Sequence, residues 1–255
     1  MKKAVCTQAA FSYGETMNDF TYYTPTKVVF GRRAQDKLGT LLREQQCRKV
    51  LLHFGGGSAE RSGLLGRVRE TLRAEGIDWV ELGGVVPNPR LSLVYEGIEL
   101  GRREGIDFIL AVGGGSAMDA AKIMWVLYEH PEVDFLDMAM RFMDIRKRVY
   151  TFPKMGEKAY FICVPTSAGT GSEVTPFAVI TDETTGTKYP LADYELMPNM
   201  AIVDADMMMS APPGLTSASG IDAVSHNLEA YASMLATDYT DGLVIRSLKM
   251  IFENL

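Results

Sequence analysis

Five short runs of aliphatic and β-branched residues recur along this chain, at 49–54, 78–82, 108–112, 160–164 and 201–203. Most are bounded by glycine or proline. Several are separated by helix-length stretches whose apolar residues step by three and four, as over 93–101. A strand that is apolar at consecutive positions is stable only where both of its faces are covered. The alternation of such runs with amphipathic helices therefore predicts an α/β domain built on a mostly parallel, dinucleotide-binding type of sheet.

After about residue 206 the pattern changes. Ile221, Val224, Leu228, Tyr231 and Leu235 form one helical stripe, and Val244, Leu248, Ile251 and Leu255 begin a second. The expected organisation is an unassigned extension over 1–18, the α/β domain over 19–206, and the first helices of an all-α domain over 207–255. That last segment is short for an independent helical domain. Its final helix meets only Asn254 as a stop signal, so the helical domain is expected to be incomplete.

Composition narrows the functional class. With 47% apolar and 23% charged residues the chain is globular in character. Its 26 Lys+Arg against 32 Asp+Glu give a net charge of −6, the wrong sign for a general nucleic-acid or anionic-membrane surface. No apolar run reaches the roughly 18 residues of a membrane span. Met1-Lys2-Lys3 leads into residues too polar for a secretion signal. Cys6, Cys47 and Cys163 are odd in number and lack metal-type spacing, which suits a reducing, cytoplasmic setting.

Two turns have the same form. Phe54 leads into Gly55-Gly56-Gly57-Ser58, and Val112 into Gly113-Gly114-Gly115-Ser116. Each follows an apolar strand and opens a helix, a setting in which bare backbone can approach a phosphate closely. Ser116 and Asp119 fit a loose capping box. Glu60 and Met118 occupy the place of a third glycine, so neither turn is the usual G-x-G-x-x-G fingerprint. Each turn alone serves equally well as a tight connection that binds nothing. A third loop, 165–173, places four hydroxyls (Thr166, Ser167, Thr170 and Ser172) among small residues after the strand ending at Val164, a set able to meet phosphate and ribose oxygens or simply to make a turn.

Asp222 and His226 are four residues apart on one helix face. A carboxylate and an imidazole suit Fe(II), Zn(II) or Mn(II), but the same spacing equally makes an ordinary ion pair, and two ligands do not complete a site. His53 is expected to be a packed or hydrogen-bonded sheet residue and His130 a residue at a helix end. The methionines, including Met207-Met208-Met209, are read as core filler, and Tyr22, Tyr23 and Trp125 as packing residues. Arg141, Arg146, Lys147 and Arg148 form a local basic cluster, read as a solvated face or subunit contact.

Together these motifs resemble the iron-containing alcohol dehydrogenase family. The residues that carry the likeness lie at 23–31, 86–89 (Val-Pro-Asn-Pro), 113–119 (Gly-Gly-Gly-Ser-Ala-Met-Asp), 165–173 (Pro-Thr-Ser-Ala-Gly-Thr-Gly-Ser-Glu) and 220–226 (Gly-Ile-Asp-Ala-Val-Ser-His), in the family's order. The first 110 or so residues are similar to the butanol-dehydrogenase branch. From Ser116 onward the chain is similar to the alcohol-dehydrogenase half of bifunctional aldehyde–alcohol dehydrogenases, through 118–125, 142–146, 152–156 and 188–193.

The resemblance implies a metal-dependent alcohol dehydrogenase that moves a hydride reversibly between a primary alcohol or aldehyde and NAD or NADP, in a cleft between an α/β and a helical domain. It implies that Gly113, Gly114, Gly115 and Ser116 hold the pyrophosphate with Asp119 nearby, that Thr166, Ser167 and Thr170 line the cofactor, and that Asn88, Val179 and Lys188 are further contacts. Asp222 and His226 match two metal ligands; the family's other two are histidines beyond Leu255, so turnover by this chain is doubtful. Where NAD-preferring members often carry an acid, Gly55, Gly56, Gly57 and Ser58 offer backbone N–H groups and a hydroxyl, which implies a lean to NADP. Glu60, two residues on, tells against it. The ion is expected to be Fe(II) or Zn(II), the substrate a small alcohol or aldehyde, and the assembly a homo-oligomer without nucleic acid or membrane. Two alternatives stand beside this reading: a catalytically silent nucleotide-binding fragment, and a polyol dehydrogenase of the glycerol type on the same fold.

Overall fold

The computed structural model describes residues 20–143, 150–209 and 211–255, apart from the side chains of Ser58 and 140–143. The 1–18 extension and Cys6 lie outside the described residues, as does most of the basic cluster at 141–148.

In chain order the elements are β1 (Lys27–Phe30), α1 (Leu38–Glu44), β2 (Lys49–Gly55), α2 (Ser58–Arg61), α3 (Leu64–Ala74), β3 (Asp78–Val85), α4 (Leu91–Glu104), β4 (Phe108–Gly113), α5 (Gly115–Glu129), α6 (Phe135–Met143), β5 (Tyr160–Pro165), β6 (Phe177–Asp182), β7 (Thr187–Ala192), β8 (Met200–Val203), α7 (Pro213–Ala232) and α8 (Asp238–Asn254). Six strands form one sheet in the order β1-β8-β5-β4-β2-β3, and every pairing in it is parallel. The α/β class expected from the sequence is the class observed.

β4 shows why its run is continuously apolar: all six residues are buried. Successive side chains point to opposite faces. Ile109 and Ala111 enter one core with Leu51, Phe161, Val94 and Trp125, while Phe108, Leu110 and Val112 enter a second with Val50, Leu52, Ile162, Leu42 and Leu65. α4 and α5 thus cover one face of the sheet, α1 and α3 the other. α4 stops at Gly105, whose left-handed φ of 64° lets its N–H return to the Gly101 carbonyl. α7 begins with Pro213, where no N–H is needed. A reciprocal pair of Thr237 and Thr240 caps α8.

Four features depart from the sequence reading. β1 was not among the expected strands; its apolar residues alternate with exposure because it lies at the sheet edge. β6 and β7, also unanticipated, form a separate antiparallel hairpin with alternating burial and no continuous apolar run. Tyr22 and Tyr23, read as packing residues, are more than half exposed, their rings against those of Tyr239 and Tyr194. Of the methionine triplet Met207 is buried but Met209 is 81% exposed. Trp125 is buried as expected, its indole N–H donating to Ala159 O and Glu129 Oε1. Among the described residues, no helix is long and apolar enough to cross a membrane.

Candidate functional site

Strand order alone marks a place on this sheet. From β2 the chain moves outward to β3, and from β4 it moves the other way to β5 and β8. The carboxyl ends of β2 and β4 therefore flank a switch point, where helices leave on opposite sides and a crevice opens. Both glycine-rich turns lie there. A Cβ built on Gly113 would stand 3.5 Å from Gly55 N and 2.8 Å from Ala117 Cβ, so the turns touch through bare backbone. A Cβ on Gly55 or Gly56 would meet nothing within 4 Å, which leaves open space at the mouth.

The third loop closes the same crevice. Thr166 N–H donates to Gly113 O at 3.0 Å. A Cβ on Gly114 would fall 3.1 Å from Ser167 Oγ, and one on Gly115 would fall 3.0 Å from the Thr170 methyl and 3.1 Å from its hydroxyl. The sequence spaced Thr166, Ser167 and Thr170 about fifty residues from Gly113, Gly114 and Gly115; the β4–β5 pairing sets them side by side.

Asp119 does not cap α5 with Ser116. The helix starts at Gly115 and has no side-chain cap. Asp119 instead accepts from Ser172 Oγ at 2.7 Å and from Val179 N at 3.1 Å, tying the loop and β6 to α5. Burial pushes its carboxyl pKa up, opposed by the Ser172 bond, by the Lys122 charge and by Val179 N. Ser172, one of the four hydroxyls, is thereby spent on Asp119 and is buried. The Thr181 N–H donates to Pro89 O at 2.8 Å, which brings the loop carrying Asn88 against the hairpin. Asn88 itself sits at φ 61°, a left-handed conformation that asparagine tolerates. Thr181 pairs with Lys188 across the hairpin, so Val179 and Lys188 lie on its exposed face. Backbone contacts thus link the loop carrying Asn88 to the hairpin of Val179 and Lys188, the hairpin to Asp119 of α5, and the 165–173 loop to the glycine turns.

Lys122 was not anticipated. Its ammonium is fully buried and donates to Thr175 O at 2.8 Å and Phe177 O at 2.6 Å. Burial lowers its pKa, and Asp119 opposes this. A lysine inside the otherwise apolar 120–127 stretch of α5 was the available signal. Glu173 is a second: it is half-buried beside this loop, with a carboxyl pKa raised by burial.

At Gly169 the loop presses on α7, since a Cβ there would sit 2.7 Å from Ser219 O. Beside that contact lies a cleft of about 400 Å³, lined in part by Ser167, Gly171, Glu173, Thr216 and Gly220. One turn further along α7, His226 Nε2 lies 3.8 Å from Asp222 Oδ1, both side chains about half exposed. The pair is of the right donor type for a borderline divalent ion, but among the described residues no group of three or more His, Cys, Asp or Glu is placed to hold one. His53 and His130 do not extend it. His53 is buried in β2 with Nδ1 on Leu82 O at 2.9 Å, and His130 ends α5, bonded to Glu132 and Lys154 O. Burial raises the thiol pKa of both described cysteines, that of Cys47 to about 12.

Comparison with known proteins agrees with the α/β fold. The family described as iron-containing alcohol dehydrogenase matches residues 25–205, and its C-terminal family matches 216–255. The bifunctional aldehyde-alcohol dehydrogenase of Escherichia coli is 54% identical over 194 residues, 76% of this chain and 22% of that protein. The NADPH-dependent butanol dehydrogenase of Clostridium saccharobutylicum is 40% identical over 231 residues, 91% of this chain and 56% of that one. The crystal structure of an NADH-dependent butanol dehydrogenase from Thermotoga maritima superposes with a TM-score of 0.81 at 34% identity, covering 93% of this chain and 58% of that one. The chain therefore spans about a fifth to about a half of the length of these relatives. Switch-point crevice, glycine turns, hydroxyl loop and the Asp222–His226 helix occur together in a chain matched over most of its length by one family, and on that ground the chain belongs to the iron-containing alcohol dehydrogenases.

Proposed function

We propose that the crevice binds a nicotinamide dinucleotide, NADP(H) in preference to NAD(H), and that the protein to which these residues belong transfers a hydride reversibly between a primary alcohol and its aldehyde. The observation that carries this reading is the convergence of three loops on the β2–β4 switch point, with the helix bearing Asp222 and His226 pressed against the third. The relatives' printed names include both an NADPH-dependent and an NADH-dependent butanol dehydrogenase, so cofactor choice rests on local residues. Glycines at 55–57 in place of an acid favour NADP(H). The family's description names iron, and Fe(II) is proposed over Zn(II) for that reason.

When bound, the nicotinamide supplies the hydride acceptor and the ion the Lewis acidity for the alcohol oxygen. The chain's own share is positioning. Gly113, Gly114 and Gly115 let backbone N–H groups approach the pyrophosphate, with Ser116 beside them, while Thr166, Ser167 and Thr170 offer hydroxyls to phosphate and ribose. Asp119 and Lys122 lock the loop and hairpin that present Val179 and Lys188. Asp222 and His226 would hold two positions of the ion. The protein is proposed to act in the cytoplasm, as a homo-oligomer, on a small alcohol or aldehyde.

Fluorescence titration with NADPH and NADH, followed by 1-butanol oxidation after anaerobic Fe(II) loading, tests the reading. Tighter NADPH binding with Fe(II)-dependent turnover is expected of the complete site. A kcat/KM with NADH equal to or above that with NADPH overturns the cofactor preference. The presence of only two ion ligands among the described residues favours a second reading for this chain, a nucleotide-binding unit without turnover. Dinucleotide binding with no Fe(II) retained after desalting is its signature, whereas turnover of polyols but not primary alcohols would move the substrate to the glycerol type.

A further inference from the structure

One cation at the mouth of the crevice has no partner among the described residues. Arg61, the last residue of α2, folds back over the β2 turn, so that a Cβ on Gly57 would fall 2.7 Å from its Nη1. The bare Cα of Gly57 is what lets the guanidinium lie there. Among the described residues nothing pairs with it, it is exposed, and Gly55 and Gly56 beside it face open space.

The neighbouring acid is turned away. Both oxygens of Glu60 accept from Arg69 Nη1, at 2.8 and 3.0 Å. Arg69 places its Nε and Nη2 on the two oxygens of Glu81, each at 2.8 Å, and Trp79 Nε1 donates to the same carboxylate at 2.9 Å. Glu60, which by sequence stands against a phosphate at this turn, has both carboxylate oxygens engaged in an ion-pair network. Arg69, on the next helix α3, keeps it there.

We propose that Arg61 recognises the 2′-phosphate of NADP(H), and that Arg69 is a positioning residue that keeps Glu60 out of that phosphate's way. This rests on the crevice being a dinucleotide site, as proposed above. A guanidinium gives a phosphomonoester two parallel charge-assisted hydrogen bonds and gives the neutral ribose diol of NAD(H) much less. The device therefore discriminates between the two cofactors without touching the reacting ring.

Isothermal titration with 2′,5′-ADP and with 5′-ADP reads this without hydride chemistry or a metal. Wild type is expected to bind 2′,5′-ADP more tightly. Arg61→Gln should weaken 2′,5′-ADP by on the order of tenfold or more and leave 5′-ADP unchanged, with Arg61→Lys in between. Arg69→Met should also weaken 2′,5′-ADP, and Glu60→Gln in that background should restore it, a rescue that a merely structural Arg69 would not show. Equal loss of both nucleotides in Arg61→Gln, or loss of neither, overturns the assignment of Arg61. Failure of Glu60→Gln to rescue overturns the role of Arg69. If wild type binds 5′-ADP but shows no preference for 2′,5′-ADP, the crevice reading stands and the Arg61 proposal falls. If it binds neither, both fall.

Discussion

His53 shows how one buried side chain sets a pH response. Its Nδ1–H donates to Leu82 O, while Nε2 is buried without a hydrogen-bond partner. Burial lowers the imidazole pKa to about 4, partly opposed by the Leu82 bond. The unfolded chain, with a histidine pKa of about 6.5, takes up the proton first on acidification. The neutral ring's contribution is therefore whole above about pH 6.5 and is lost as pH falls toward 4, by about 3 kcal/mol across the window. Urea unfolding of wild type and His53→Gln from pH 7 to 4 should give a shallower decline in the variant, since glutamine can still donate to Leu82 O. Parallel curves would show that His53 does not titrate in this range.

Among the elements, α5 organises the site. Its buried polar residues reach three different segments: Asp119 holds Ser172 and Val179, Lys122 holds the carbonyls of Thr175 and Phe177, and Glu129 accepts from the backbone N–H groups of Gly156, Glu157, Lys158 and Ala159. Lys122 and Glu129 are buried and bonded to backbone, and half-buried Asp119 is bonded to one side chain and one backbone N–H, so removing any of them leaves unpaired partners rather than a neutral gap. Lys122→Met fills the same space but strands two carbonyls. It should cost about 2 kcal/mol in urea unfolding and speed amide exchange over 177–182, because Lys122 and Asp119 tie β6 to the helix. Unchanged exchange in the hairpin would mean that its own ladder holds it in place.

For the whole molecule the consequence lies in the distribution of apolar surface. Val244 and Gly220 bury one side of the α7–α8 pair, with Leu255 seated against Gly220. The other side leaves Ile221, Leu228, Tyr231, Leu235 and Phe252 between 54% and 86% exposed, with Met234 at 96%. This much exposed apolar side-chain surface on two neighbouring helices drives association. Size-exclusion chromatography with light scattering is expected to show self-association that rises with concentration, reduced in Leu235→Glu with Phe252→Glu. A monodisperse monomer would count against it.

The sequence by itself determined the class of fold and the chemical type of the site. Apolar runs too continuous to leave one face wet required a covered parallel sheet, and the glycines at 55–57 and 113–115 marked backbone that something approaches closely. The helical stripe through Ile221 and Leu228 was legible too, and so was the apolar surface it exposes. What only the tertiary structure decided was adjacency. Gly113 meets Gly55 because β4 inserts beside β2, after the chain has gone out to β3 and back. Asp119 serves Ser172 and Val179 rather than its own helix end, and the spacing of Ser116 and Asp119 suggested the opposite. Hairpin β6–β7 was missed because its buried residues alternate with exposed ones and lie under α5 rather than in the sheet. Lys122 was passed over because the carbonyls it joins lie more than fifty residues away in sequence. Local patterns fix which faces must be buried; the long-range pairing of strands fixes which polar groups meet, and the site is made of the latter.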